Sequence, residues 1–328
     1  MQEPLHDLAG KRIYIAGHRG MVGSAIWRAL EARGDATLIG WNSRELDLTD
    51  REATLAAIVE ARPDVVVLAA AKVGGIVAND SSPVEFLTDN VRIQCNVMEA
   101  AHAAGVDRLL FLGSSCIYPR EAPQPMTPDM LMTGHLEPTN DAYALAKLAG
   151  ITLVRSYRRQ HGCAWISCLP TNLYGPGDNF DLETSHVLPA LIRRFDEASQ
   201  AGTPAVTLWG SGTPRREFLH VDDLAAACVH LLEHYDDSLP TNIGCGEDIN
   251  ISELAATIAE VVGFDGTISW DTSRPDGTPR KLLDVAVMRD LGWEPKIGLR
   301  DGVRATWESF RDALDRGRLT AHGRMDRS

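Results

Sequence analysis

The chain has 328 residues, 44% hydrophobic and 23% charged, proportions that exclude extensive disorder and leave material for a large core. Its net charge of −13, from 32 Lys and Arg against 45 Asp and Glu, carries no basic block; this excludes phosphate-driven nucleic-acid binding and requires any anionic ligand to be met by a local basic site. The six cysteines form no CxxC pair and no Cys/His cluster at zinc spacing, and no apolar run reaches the roughly 18 residues of a membrane span, so free thiols, no metal, no membrane partner and a cytoplasmic location are expected.

In chain order, short apolar runs at 12–16, 37–39, 65–69, 109–112 and 165–169 predict strands of a parallel sheet. The intervening spacing predicts helices over 22–33, 51–61, 84–104 and 142–161, with Asp50 and Asp141 as N-caps. This alternation specifies an α/β fold, a Rossmann-type doubly wound parallel sheet. The last two helices are long and partly apolar, and such faces close against a twofold mate, so a homodimer through the helices near 84–104 and 142–161 is expected. After Thr171, loops bearing Pro176, Gly177, Gly210, Gly212 and Pro214 interrupt the pattern; a helix is predicted at 187–199, and 221–234 and 242–244 return one helix and one strand to the sheet. The expected organisation is a nucleotide-binding domain of 1–171 and 221–244, a smaller discontinuous C-terminal α/β substrate domain of 172–220 and 245–310, and a poorly ordered tail, 311–328, with few large apolar residues.

The first predicted strand runs directly into Gly17-His18-Arg19-Gly20-Met21-Val22-Gly23 and a helix. Glycines at this junction allow a tight turn and close backbone approach to a pyrophosphate, whose charge the helix N-terminus meets. Cofactor choice is read after the second strand, where a carboxylate on the ribose favours NAD and an arginine accommodates the extra phosphate of NADP. Here the segment reads Gly40-Trp41-Asn42-Ser43-Arg44: Arg44 joins Arg19 as a phosphate clamp and NADP is favoured, the alternative being that Arg44 is a solvated charge and Glu45 meets the ribose. Asp47 and Leu48 follow where an adenine edge could be read.

Tyr143 and Lys147, four apart in a predicted helix, share one face. A phenol with an ordinary pKa of roughly 10 is a poor acid–base catalyst at neutral pH, and a neighbouring ammonium is expected to lower it. The strand at 109–112 ends in Gly113-Ser114-Ser115-Cys116 at the carboxyl edge of the sheet, where ligands of such folds bind. If the extended conformation persists, Ser114 and Cys116 point to one side, Ser114 able to hydrogen-bond a substrate oxygen and Cys116 able to serve as a thiolate base; the alternative for Cys116 is a small apolar residue filling a strand end.

With Gly17-xx-Gly20-xx-Gly23, Ser114 and Tyr143-xxx-Lys147, the chain resembles the extended short-chain dehydrogenase/reductase family over nearly its whole length. Segments 17–24, 69–79 (AAAKVGGIVAN), 111–119 (FLGSSCIYP), 136–140 (LEPTN), 170–175 (PTNLYG), 209–222 (WGSGTPRREFLHVD) and 274–284 (RPDGTPRKLLD) narrow the resemblance to its GDP-4-keto-6-deoxy-D-mannose 3,5-epimerase-4-reductases. Their reaction epimerises C3 and C5 and then reduces the C4 ketone with NADPH to give GDP-L-fucose. The resemblance implies Cys116 as the epimerisation base, His186 as the acid on the opposite face, and Tyr143 with Lys147 and Ser114 at the C4 oxygen. It also implies Ala70, Lys147, Pro170, Asn172, Leu173 and His186 beside the cofactor, and Arg194, Trp209, Arg216, Asp276 and Lys281 on the GDP-sugar. The segment 40–44 departs from the family's pattern by carrying fewer arginines. Two other readings compete: a nucleotide-sugar 4-epimerase or 4,6-dehydratase that retains NAD and recycles its hydride, which Cys116 disfavours, and a catalytically silent NADP-binding regulator, which has no need of all five catalytic candidates.

Overall fold

In the computed structural model, which describes residues 3–274 and 276–319, the chain opens with β1 (Arg12–Ala16), α1 (Met21–Arg33), β2 (Thr37–Ile39), α2 (Arg51–Ala61), β3 (Val65–Leu68), α3 (Ile76–Ser81), α4 (Pro83–Ala103), β4 (Arg108–Leu112), α5 (Asp141–His161) and β5 (Ile166–Pro170). It continues with β6 (Asn172–Tyr174), α6 (Val187–Gln200), β7 (Ala205–Trp209), β8 (Arg215–Arg216), β9 (Phe218–His220), α7 (Val221–His234), β10 (Thr241–Ile243), β11 (Ile249–Asn250), α8 (Ile251–Val262), β12 (Thr267–Asp271), β13 (Arg280–Lys281), α9 (Ala286–Asp290) and α10 (Leu299–Asp315).

Six of these strands make one parallel sheet in the order β10-β5-β4-β3-β1-β2. Alternation along each strand divides its side chains between two layers. Ile13, Ile15, Val67, Leu110 and Leu112 meet α1 and α7 on one face. Tyr14, Ala16, Val66, Leu68, Leu109 and Phe111 meet α4 and α5 on the other. Burial on both faces is why these strands read as unbroken apolar runs. The strand order turns back between β1 and β3, which opens a crevice at their carboxyl ends. A separate core, containing Phe180, Ile192, Phe195, Leu254, Ile258, Val303 and Phe310, joins α6, α8 and α10. Around it lie the parallel pair β12-β7, the small sheet β11-β8-β13 and the pair β6-β9.

Local chemistry sets the helix ends. Asp50 caps α2 by accepting from the Ala53 amide, and Asn250 with Glu253 forms a reciprocal capping box on α8. Asp141 is not the N-cap of α5: Asn140 occupies that position without a side-chain cap, and Asp141 lies in the first turn, where its charge opposes the positive end of the helix dipole. The unforeseen α3 is separated from α4 by Pro83 at the start of the latter, a position that needs no amide donor. The last sheet strand is Thr241–Ile243, one residue earlier than expected. The expected tail begins inside α10, where Phe310 and Ala313 are buried; its remainder, 320–328, lies outside the described residues. Among the described residues no helix is long and apolar enough to cross a membrane.

Candidate active site

The glycine turn after β1 occupies the crevice. Gly17 has φ +84°, where L side chains are strained, and a Cβ on it would lie 2.8 Å from the Ala70 backbone at the end of β3. A Cβ on Gly23 would lie 2.1 Å from the Gly17 carbonyl oxygen. Gly20 then starts α1 with no capping side chain and no acidic residue in the first turn, which leaves the opening amides for an anion. Val22 and Met21 pack against the core beneath this turn. His18 stacks on Trp27 at 5.3 Å between ring centroids, and its buried Nδ1 has no partner. This cradle fits the diphosphate of a dinucleotide.

Beyond β2, Asn42 Oδ1 accepts the amides of Arg44 and Glu45, and the Glu45 carboxylate accepts back from the Asn42 amide at 2.8 Å. Glu45 is thereby folded onto its own turn, while Ser43, Arg44 and Arg19 remain exposed beside it. This arrangement suits an extra phosphate better than a ribose diol. Asp47 accepts from the Thr49 amide and hydroxyl, which hold its carboxyl below the ordinary value, and Asn96 donates to the Leu48 carbonyl.

The strand does not stay extended at its catalytic end. Ser114 is extended, but Ser115–Ile117 is a 3-10 turn, and Ser114 Oγ accepts from the Cys116 amide at 3.1 Å. The turn, rather than strand alternation, therefore joins the two residues. Tyr143 lies close to Ser114 and within electrostatic reach of Cys116. Lys147 is buried, donates to the Leu112 carbonyl at 2.8 Å, and has its Nζ 5.9 Å from the Tyr143 ring centroid. The expected depression of the phenol is absent. Burial drives Tyr143 above its ordinary value, the Cys116 sulfur adds to this and Ser114 opposes it, while burial pushes Lys147 down to about 8. A protonated phenol is the form required to donate a proton to a ketone oxygen.

His186 precedes α6 and faces solvent, yet the protein around it withdraws enough water to hold its imidazole below the ordinary value. Its approach loop is held by hydrogen bonds: Asp181 accepts from Glu183 and Thr184, and the Gly75 amide donates to the Thr184 carbonyl at 2.8 Å. That last bond ties the loop after β3 to the residue pair preceding His186.

At the end of β5, Pro170 completes the strand and Leu173 packs on the core. Asn172 spends an amide hydrogen on the Glu217 carbonyl, 2.8 Å away. Of the expected substrate residues, Trp209, Arg216 and Lys281 lie on β7, β8 and β13, Arg194 on α6 and Asp276 between β12 and β13. Register pairs Arg215 with Arg280 and Arg216 with Lys281. The buried Asp248 carboxylate binds both members of the first pair, Arg215 at 2.8 Å and Arg280. Among the described residues the second pair has no carboxylate partner. Like charges opposite one another destabilise paired strands, so Arg216 beside Lys281 is the arrangement expected of an anion site. The Cys116 sulfur lies near enough to favour the charge on Arg216, against the larger effect of burial.

Trp209 is 62% exposed, with the guanidinium carbons of Arg194 and Arg274 at 5.8 and 5.0 Å from its ring centroid. Sequence reasoning had passed over Arg274, although it opens one of the segments that carried the resemblance. Asp276 accepts from the Ser211 amide and hydroxyl, pinning the turn after Trp209.

The pattern of the NAD dependent epimerase/dehydratase family matches residues 13–252. The chain is 54% identical over 299 residues to GDP-L-fucose synthase 1 of Arabidopsis thaliana, covering 91% of this chain and 93% of that protein. It is 52% identical over 320 residues to GDP-L-fucose synthase of Escherichia coli K12, covering 95% and 100%. Among solved structures, a GDP-L-fucose synthetase from Naegleria fowleri bound to NADP superposes with TM-score 0.89 at 29% identity, covering 96% of this chain and 97% of that one.

Proposed function

Because the chain belongs to the NAD dependent epimerase/dehydratase family, with relatives at half identity that are GDP-L-fucose synthases, we propose that it converts GDP-4-keto-6-deoxy-D-mannose to GDP-L-fucose using NADPH. The observation that carries this reading is the meeting of Ser114, Cys116 and Tyr143. A ketone needs all three kinds of group: a base for its α-protons, a donor for its oxygen and a hydroxyl to orient it.

The protons at C3 and C5 are both α to the C4 ketone, so stabilising one enolate oxygen activates both positions. Cys116 as thiolate removes each proton. His186 returns a proton from the opposite face. Ser114 and Tyr143 hold the oxygen through both epimerisations. NADPH supplies the hydride that reduces C4. Tyr143 gives its proton to the resulting alkoxide, and the Lys147 ammonium stabilises the phenolate left behind. Arg216 and Lys281 grip the GDP diphosphate, while Trp209 and Arg194 line its approach.

Gly17, Gly20, Gly23 and the start of α1 would hold the cofactor diphosphate, and Arg44 with Arg19 the additional phosphate. A charge-assisted phosphate contact contributes about 1.5–3 kcal/mol, so Arg44→Ala is expected to raise the KM for NADPH roughly tenfold or more and that for NADH less than about twofold. Equal shifts in steady-state titrations would transfer the contact to Arg19.

The protein is read as a cytoplasmic homodimer. An open apolar groove containing Met132, Leu145, Leu148 and Leu153 runs along α5, with Met132 and Leu145 strongly exposed, a surface suited to a second copy.

The reaction is tested by mixing the protein with GDP-4-keto-6-deoxymannose and NADPH or NADH, following nicotinamide absorbance and identifying the sugar by NMR. Stoichiometric NADPH oxidation with GDP-L-fucose as product is expected. Isomerised sugar without oxidation would favour a hydride-recycling epimerase, and no change at all a silent binding protein.

A further inference from the structure

Glu217 is a wholly buried carboxylate that the reaction does not use. It stands between Arg216 and Phe218, where β8 passes into β9. Its Oε1 accepts from the Gly246 amide at 2.7 Å and its Oε2 from the Leu283 amide at 3.1 Å. The fit is close: a Cβ on Gly244 would lie 2.2 Å from Oε1. Among the described residues no cation pairs with it, so the backbone amides carry the compensation for burying this group.

The segment it holds is β13. This strand has two residues, and Arg216 and Lys281 repel across its pairing with β8. At its start the Arg215 amide donates to the Pro279 carbonyl, and Asp248 links Arg215 to Arg280. At its far end Glu217 holds Leu283, two residues beyond Lys281. The backbone carbonyl of Glu217 accepts from Asn172 on the cofactor side, a bond that a side-chain substitution leaves in place.

We propose that Glu217 is a positioning residue for diphosphate recognition: its buried carboxylate fixes β13 against β8 and so sets the spacing of Arg216 and Lys281. The proposal rests on reading those two cations as the diphosphate ligands. Glu217→Gln keeps the shape but turns an NH2 group toward a backbone N–H, so one of the two anchoring bonds is lost.

The test is calorimetric titration of the full-length protein with GDP and, separately, with NADPH. E217Q is expected to weaken GDP about tenfold, leave NADPH within about twofold, and add less than about twofold to the loss already caused by Arg216→Ala, because it acts through that pair. GDP affinity unchanged in E217Q would overturn the proposal. So would parallel losses of GDP and NADPH affinity with a lowered melting temperature, the signature of general loosening. If E217Q does not fold, Glu217→Asp, which keeps the charge but falls one methylene short, is expected to weaken GDP selectively, and wild-type affinity in that variant would equally overturn the proposal. Wild-type protein that binds GDP but does not turn over the keto sugar would refute the proposed reaction while leaving this test intact.

Discussion

Cys116→Ser is expected to abolish both epimerisations, by roughly 10²–10⁴-fold as for loss of a positioned base, while GDP-4-keto-6-deoxymannose is still reduced slowly and directly at C4. The asymmetry follows from the separation of roles. A serine in the same turn still donates its backbone amide to Ser114 Oγ, so the local geometry survives, but its alcohol is far too weak an acid to exist as an anion beside Arg216. The ketone donors are untouched. NMR of the product should therefore reveal an unepimerised 6-deoxyhexose together with NADPH consumption. Normal GDP-L-fucose output from this variant would remove Cys116 from the role of base and return it to being a small apolar residue at a strand end.

Tyr143→Phe should lower kcat for NADPH oxidation by roughly 10²–10³-fold, the usual worth of a positioned proton donor, with little effect on NADPH affinity. The ring remains in place against Phe86, 6.4 Å between centroids, so packing is preserved and only the hydroxyl is lost. Because Ser114 still faces the oxygen, proton exchange at C3 and C5 should fall less than reduction does. Deuterium incorporation from solvent, followed alongside absorbance, separates the two rates. Unchanged turnover would exclude Tyr143 as the donor.

The sheet was legible because its strands are buried on both faces, as Ile13 and Tyr14 illustrate by belonging to opposite cores. The glycine spacing was legible because Gly17 and Gly23 each answer a contact that no other residue could make. Asp141 misled because Asn140 precedes it and both residue types favour caps. The break at Ser115 was hidden since nothing in Ser-Ser-Cys opposes an extended path; the turn is fixed by the Ser114 side chain returning to its own backbone. Ionisation at Tyr143 was misjudged because helical spacing places Lys147 on the same face but says nothing of depth, and burial outweighs proximity. The anchors Asp248 and Glu217 could not be read at all. Their partners lie 33 and 66 residues away in sequence, on strands too short to show periodicity. The one available signal was the doublets Arg215-Arg216 and Arg280-Lys281, which in paired strands must present one cationic pair to each side.

The layer of α7 over the sheet has a consequence for how the chain is made. Ile13, Ile15, Val67 and Leu110 share one buried layer with Ala25, Ile26 and Leu30 of α1 and with Leu224, Cys228 and Leu231 of α7, and β10 pairs with β5 only through residues 241–243. On the ribosome, residues up to 170 emerge with this face covered by α1 alone and one strand edge open. They must wait for more than 50 further residues, including all of α6 and β7, before the missing helix and strand arrive. Folding of the sheet is therefore a late, non-local event, and the interval before it is when aggregation or chaperone capture competes most strongly.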